Sequence, residues 1–156
     1  MTQADDTKSR IQKVLIVEDN SQTLELMKKF FSKARQRGDI VCDILEGSDG
    51  EQAIKMLVSE EPDLIICDIG LPRTDGYGVL KFYNDSYKKS HPFCFFTFLT
   101  ASQEERKHAF ESSVMGFLAK TEMNYFVLTL QIKTWLRLSF LERHLEIGEI
   151  NQQLEE

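Results

Sequence analysis

In the stretch VLIVEDN, the apolar run Val14–Val17 passes directly into two carboxylates, Glu18 and Asp19. Adjacent acids repel, and both lose hydration beside an apolar core, so the pair costs stability unless a cation or a proton offsets it. Other apolar runs also end in reactive side chains: DLIICD closes on Asp68, GFLAK on Lys120, and FCFFTFLT on Thr100, with Ala101 next. Carboxylates brought together in this number favour a hard cation with oxygen ligands, and Mg²⁺ takes one or two carboxylates, waters and a phosphate oxygen. Beside such an ion Asp68 is placed as a nucleophile for phosphoryl transfer, which needs positioning and neutralisation of the equatorial oxygens above all. Mg²⁺ covers one of those oxygens, the Lys120 ammonium a second, and the Thr100 hydroxyl or the Ala101 backbone N–H the third.

Convergence of these residues requires a scaffold that gathers the ends of separate runs. Five short apolar runs, 13–19, 39–46, 63–68, 93–100 and 116–120, are rich in Val, Ile, Leu or Phe and too short for helices. Between them lie helical segments over 21–38, 49–61, 75–89, 102–115 and from about residue 124, the first with capping signals at Asn20 and Ser21 and a stop at Gly38. Strand–helix alternation repeated in this way predicts an α/β fold: a doubly wound five-stranded parallel sheet with helices on both faces. Continuously apolar strands fit a sheet buried on both sides, and ligands then sit beyond the carboxyl ends of the strands.

Bulk properties narrow the classes. At 156 residues the chain holds one core plus an appendage. A formal net charge of −6 opposes a grip on a phosphate backbone, so direct nucleic-acid binding is not expected. No apolar run approaches the roughly 20 residues of a membrane span. Residues 1–12 read as a polar tail without the apolar segment of a secretory signal, which places the protein in the cytoplasm. Cys42, Cys67 and Cys94 each lie in or beside an apolar run, without a CxxC pair, and read as small buried thiols. His91, His108 and His144 have no Cys or Asp at ligand spacing and read as surface residues.

VEDN, LIICDIGLPRTDGYGVL, FLTAS and GFLAK, in this order and spacing, resemble the receiver domain of two-component response regulators over residues 13–135. The resemblance implies a flavodoxin-like strand order 2-1-3-4-5. It implies Asp68 as phospho-acceptor, Glu18 and Asp19 as the acid pair, and the Gly70 backbone carbonyl as a further Mg²⁺ ligand. Thr100 is implied as the switch hydroxyl, Lys120 as the phosphate-pairing lysine and Phe117 as the aromatic switch. It also implies a sensor histidine kinase or phosphotransfer protein as donor, output through a downstream protein partner or a missing output domain, and no turnover of a separate substrate. Two departures stand out: Thr121 occupies the position where receivers usually carry proline, and Phe117 lacks the phenol of the commoner tyrosine.

A haloacid-dehalogenase-type phosphatase would also use an aspartyl nucleophile and Mg²⁺, but such enzymes place a second Asp two residues after the first, where this chain has Gly70. The other alternative is a non-phosphorylated pseudo-receiver serving as a dimerisation or docking module. Residues 136–156 are expected to form a helical extension. There Leu136, Phe140, Ile147, Ile150 and Leu154 fall on a heptad seam interrupted by Arg143, and the seam suggests a coiled coil and a homodimer.

Overall fold

The computed structural model describes residues 10–86, 93–97, 103–112, 114–121 and 123–155, with backbone only at 93–97, 105, 109 and 146–151. Strands β1 (Gln12–Val17), β2 (Cys42–Gly47), β3 (Leu64–Asp68), β4 (Phe93–Thr97) and β5 (Gly116–Ala119) alternate with helices α1 (Ser21–Gln36), α2 (Gly50–Glu60), α3 (Gly76–Ser86), α4 (Gln103–Glu111) and α5 (Tyr125–Glu155). The strands are parallel and lie in the order β2-β1-β3-β4-β5. The architecture is the α/β flavodoxin-like one.

Alternation along the two central strands explains the two helical layers. Val14 and Ile16 point to one face, where they meet Met27, Phe30, Phe31 and Ala34 of α1 and Leu128, Ile132 and Leu136 of α5. Leu15 and Val17 point to the other, against Ala53 and Leu57 of α2 and Val79, Leu80 and Tyr83 of α3. All four of these β1 residues, Val14 to Val17, are fully buried, so polar alternation has no place in this part of the strand.

The second strand starts later than the expected residue 39. The backbone N–H groups of Asp39 and Ile40 both donate to the Ala34 carbonyl, at 2.9 and 3.3 Å, and close the end of α1 after Gly38 takes the left-handed conformation (φ 73°). Asn20 caps α1 by accepting from the Thr23 N–H at 3.0 Å, and Asp49 caps α2 by accepting from the Gln52 N–H at 2.8 Å. At Gly50, the first residue of α2, a Cβ would collide with the Thr74 carbonyl, so glycine lets the loop after β3 pack tightly.

Helix α5 runs unbroken through the expected boundary between residues 135 and 136. Leu136 is buried in the core and its carbonyl accepts from the Gln12 side chain at 2.8 Å. Arg143 lies on the same side, 3.1 Å from Asp63 and 3.3 Å from the Glu61 carbonyl. The seam starting at Leu136 therefore continues the core-facing side of α5, and Leu136 is removed from it; the side chains of Ile147 and Ile150 lie outside the described residues. No helix among the described residues is long and apolar enough to cross a membrane.

Candidate functional site

The strand register brings the acids together. Val17 pairs with Cys67 across β1 and β3, so the next residues, Glu18 and Asp68, leave the sheet side by side. Carboxylate oxygens of Glu18, Asp19 and Asp68 lie within 4.8 Å of one another. Glu18 is buried, Asp68 half-buried and Asp19 exposed, so the cluster opens to solvent on one side.

Lys120 arrives from the far edge of the sheet. It follows β5, two strands from β3, a span of roughly 10 Å at the usual strand spacing, which only a long side chain crosses. Its ammonium sits 2.6 Å from Glu18 Oε2 and 3.1 Å from Asp68 Oδ2. Glu18 Oε1 accepts the Asn20 backbone N–H at 3.1 Å. Burial nonetheless pushes the Glu18 carboxyl above its usual range, with Lys120 and the Asn20 N–H opposing the rise and the Asp68 charge adding to it. Glu18 and Asp68 thus share one ammonium, with the Asp19 carboxylate beside them. An all-oxygen, acid-rich set of this kind suits a hard divalent cation, and Glu18, Asp19 and Asp68 are the side chains that could hold it.

Of the other expected site residues, Gly70 is exposed in the loop after β3, a loop tied back by the Gly76 N–H donating to the Ile69 carbonyl at 2.8 Å. Phe117 is half-buried on β5 and packs on the cluster that holds Leu57, Val79 and Tyr83. Thr100 and Ala101 lie outside the described residues. Lys120 and Thr121 form a turn. The Cys42 and Cys67 thiols are buried; burial pushes Cys42 up to about 11 and Cys67 well above the usual thiol range, so neither is a nucleophile here. Sequence reasoning missed the role of Asn20, whose N–H fixes Glu18. Its signal was its place immediately after the acid pair.

Residues 14–129 match the model of the response regulator receiver domain. The alkaline phosphatase synthesis transcriptional regulatory protein PhoP of Bacillus subtilis is 35% identical over 69 residues, which is 44% of this chain and 26% of that protein. The response regulator GtcR of Aneurinibacillus migulanus is 35% identical over 75 residues, 48% of this chain and 28% of that protein. The matched segments thus span about a quarter of the curated relatives' length. Among solved structures, the receiver domain of a Pseudomonas fluorescens HD domain-containing protein superposes with a TM-score of 0.71 at 22% identity, covering 84% of this chain and 98% of that one. The BeF3-activated N-terminal receiver domain of Klebsiella pneumoniae RstA gives 0.70 at 23% identity, covering 81% and 99%.

Proposed function

The chain belongs to the response regulator receiver family, and from that premise we propose that it accepts a phosphoryl group on Asp68 from the phosphohistidine of a sensor kinase or phosphotransfer protein. The observation that carries this reading is the position of Asp68: it is half-buried at the sheet edge, beside two further carboxylates, with the Lys120 ammonium at 3.1 Å. The strand order β2-β1-β3-β4-β5, which sets these groups at neighbouring strand ends, supports it too.

An Asp68 carboxylate oxygen attacks phosphorus, the P–N bond to the donor histidine breaks and an acyl phosphate forms. Mg²⁺, held by Glu18, Asp19, Asp68 and the Gly70 carbonyl, would neutralise a phosphoryl oxygen. Lys120 releases its contact with Glu18 or shares it and pairs with a second oxygen. The Thr100 hydroxyl and the Ala101 N–H take the third. Thr100 and Phe117 then couple phosphorylation to the surface around the last strands, and because Phe117 has no hydroxyl its part in the switch is packing alone. Output passes to a protein partner or to a further domain of a longer regulator, without turnover of a separate substrate.

Intact mass after incubation with Mg²⁺ and acetyl phosphate tests this reading. One added phosphoryl group, lost in the Asp68→Asn variant and absent when Mg²⁺ is chelated, is the expected result. Labelling that persists in Asp68→Asn places the acceptor elsewhere.

A further inference from the structure

The loop after β3, residues 69–75, is fastened at both ends and docked on α2 in its middle. The Ile69 carbonyl accepts the backbone N–H groups of Leu71 and Gly76, at 3.1 and 2.8 Å, and the Leu71 side chain is buried in the same cluster as Ala53 and Leu57 of α2. The Pro72 carbonyl accepts the Thr74 N–H at 2.9 Å and, from across the gap to α2, the Gly50 N–H at 3.5 Å. Between these contacts Arg73 turns the chain in the left-handed conformation (φ 69°), which a residue with a Cβ seldom adopts. Its guanidinium lies 3.7 Å from Asp49 and 3.6 Å from Glu51, over the first turn of α2. Thr74 is gripped from two sides, and on both only glycine leaves room. A Cβ at Gly50 would collide with the Thr74 carbonyl, and a Cβ at Gly78, in the first turn of α3, would stand 2.5 Å from the Thr74 methyl. Backbone strain of the kind seen at Arg73 persists only where the surroundings over-determine it, and it clusters at functional sites.

We propose that Gly50, Thr74 and Gly78 are positioning residues for the metal: they set the loop that carries the Gly70 carbonyl, and so tune the affinity for Mg²⁺ from α2, a helix that supplies no ligand. The proposal rests on the reading of Asp68 as a Mg²⁺-dependent phospho-acceptor. Gly70 is exposed, with nothing within 4 Å of where its Cβ would stand, and glycine has the widest backbone freedom of any residue. Its place is therefore inherited from Ile69 and Leu71 on either side, and theirs from the docking of residues 72–74 on α2. Mg²⁺ demands near-ideal octahedral geometry, and a ligand must be held within roughly 0.5 Å of its productive position. Ca²⁺ takes six to eight oxygen ligands in flexible arrangements and tolerates a displaced carbonyl. The fastening thus favours the smaller ion.

Titrations of the full chain with MgCl₂ and with CaCl₂, followed by NMR at the Gly70 backbone amide, test the proposal without any phosphodonor. Gly50→Ala should weaken Mg²⁺ binding about tenfold, the scale found for groups that orient a metal ligand, because the obstacle is the Thr74 backbone. Gly78→Ala should weaken it less, since a methyl yields where a backbone does not. Gly78→Ala combined with Thr74→Ser should restore the wild-type affinity, serine having no methyl to collide. Each single variant should lose more affinity for Mg²⁺ than for Ca²⁺, whereas general destabilisation lowers both alike. If Gly50→Ala does not fold, the Gly78 and Thr74 series decides alone. Wild-type Mg²⁺ affinity in the glycine variants overturns the proposal and leaves the acceptor reading intact. So does a loss that Thr74→Ser fails to restore, or one that Ca²⁺ shares in full. A wild-type chain that binds no Mg²⁺ at millimolar concentration instead removes the acceptor reading, and the proposal with it.

Discussion

Strand β3 has an aspartate at each end, and the two are treated oppositely. Asp63, just before the strand, is buried but fully matched: Arg10 at 3.2 Å and Arg143 at 3.1 Å reach one oxygen, and the Lys13 backbone N–H donates to the other at 2.7 Å. Asp68, at the other end, has two carboxylates for neighbours and shares a single ammonium with Glu18. The same side chain on the same strand thus serves as a structural pin where cations outnumber it and as a reactive group where acids do. A buried acid whose surroundings leave charge unmatched is the one that marks a site, because only a ligand or a chemical change completes it.

The contrast breaks most visibly under substitution at the two ends. Asp68→Asn should abolish phosphoryl labelling and leave folding intact, since it removes negative charge from a crowded cluster. Asp63→Ala should do the reverse: labelling persists, but stability falls by about 2–3 kcal/mol. That is the scale for hydrogen bonds to a charged group, reduced from the roughly 3–5 kcal/mol of a broken buried pair because Arg10 is half exposed. Denaturant unfolding measures the second effect. A destabilised Asp68→Asn alongside an unaffected Asp63→Ala would exchange the two roles.

Glu18 sharpens the comparison through pH. Its folded carboxyl is raised, so its contribution to stability is fully present below the unfolded value and is lost as pH rises through the folded one. Glu18→Gln, neutral at every pH, should therefore melt at or above the wild-type temperature at neutral pH without metal, with the difference disappearing in acid. The same variant should bind Mg²⁺ more weakly, as should Asp19→Asn, by calorimetric titration. A lower metal-free melting temperature for Glu18→Gln at neutral pH would mean that the Lys120 contact outweighs burial.

The reactive end of β3 was legible in the sequence and the structural end was not, for a physical reason. Glu18, Asp19, Asp68 and Lys120 each interrupt or end an apolar run, and parallel strands gather such ends without any further information. Asp63 also adjoins an apolar run, but its partners Arg10 and Arg143 come from distant parts of the chain, and only packing brings them together. Helix α5 was legible as a helix, but its outward side was not, for a related reason: Leu136 and Leu138 both fit a helical repeat, and periodicity does not say which side faces the core. The start of β2 depended on the Asp39 and Ile40 N–H groups turning back to Ala34, a backbone choice that side-chain type does not encode.

A third acid, outside the sheet, supplies the lower limit of the comparison. Asp39 accepts the Tyr125 hydroxyl at 2.7 Å and the Arg37 guanidinium at 3.1 Å, at the surface where α1 meets the start of α5. The tyrosine bond, aided by Arg37, holds its carboxyl below the ordinary 3.8. A depressed carboxyl stabilises the fold above the unfolded value, and that stabilisation is lost as pH falls through the folded one. Tyr125 is shifted the other way, above the ordinary 10.0, by burial and then by Asp39, so its share is present below the unfolded value and lost as pH rises through the folded one. Tyr125→Phe should therefore lower the melting temperature slightly, by less than Asp63→Ala, across a plateau bounded by these two titrations, with no difference in strong acid. Its ring contacts with Phe30 and Lys33 survive the substitution, which isolates the hydroxyl. Thermal melts across the acid range decide it: a deficit that persists below the Asp39 titration would assign the effect to packing, and this half-buried pair would then say nothing about how matched charge stabilises this fold.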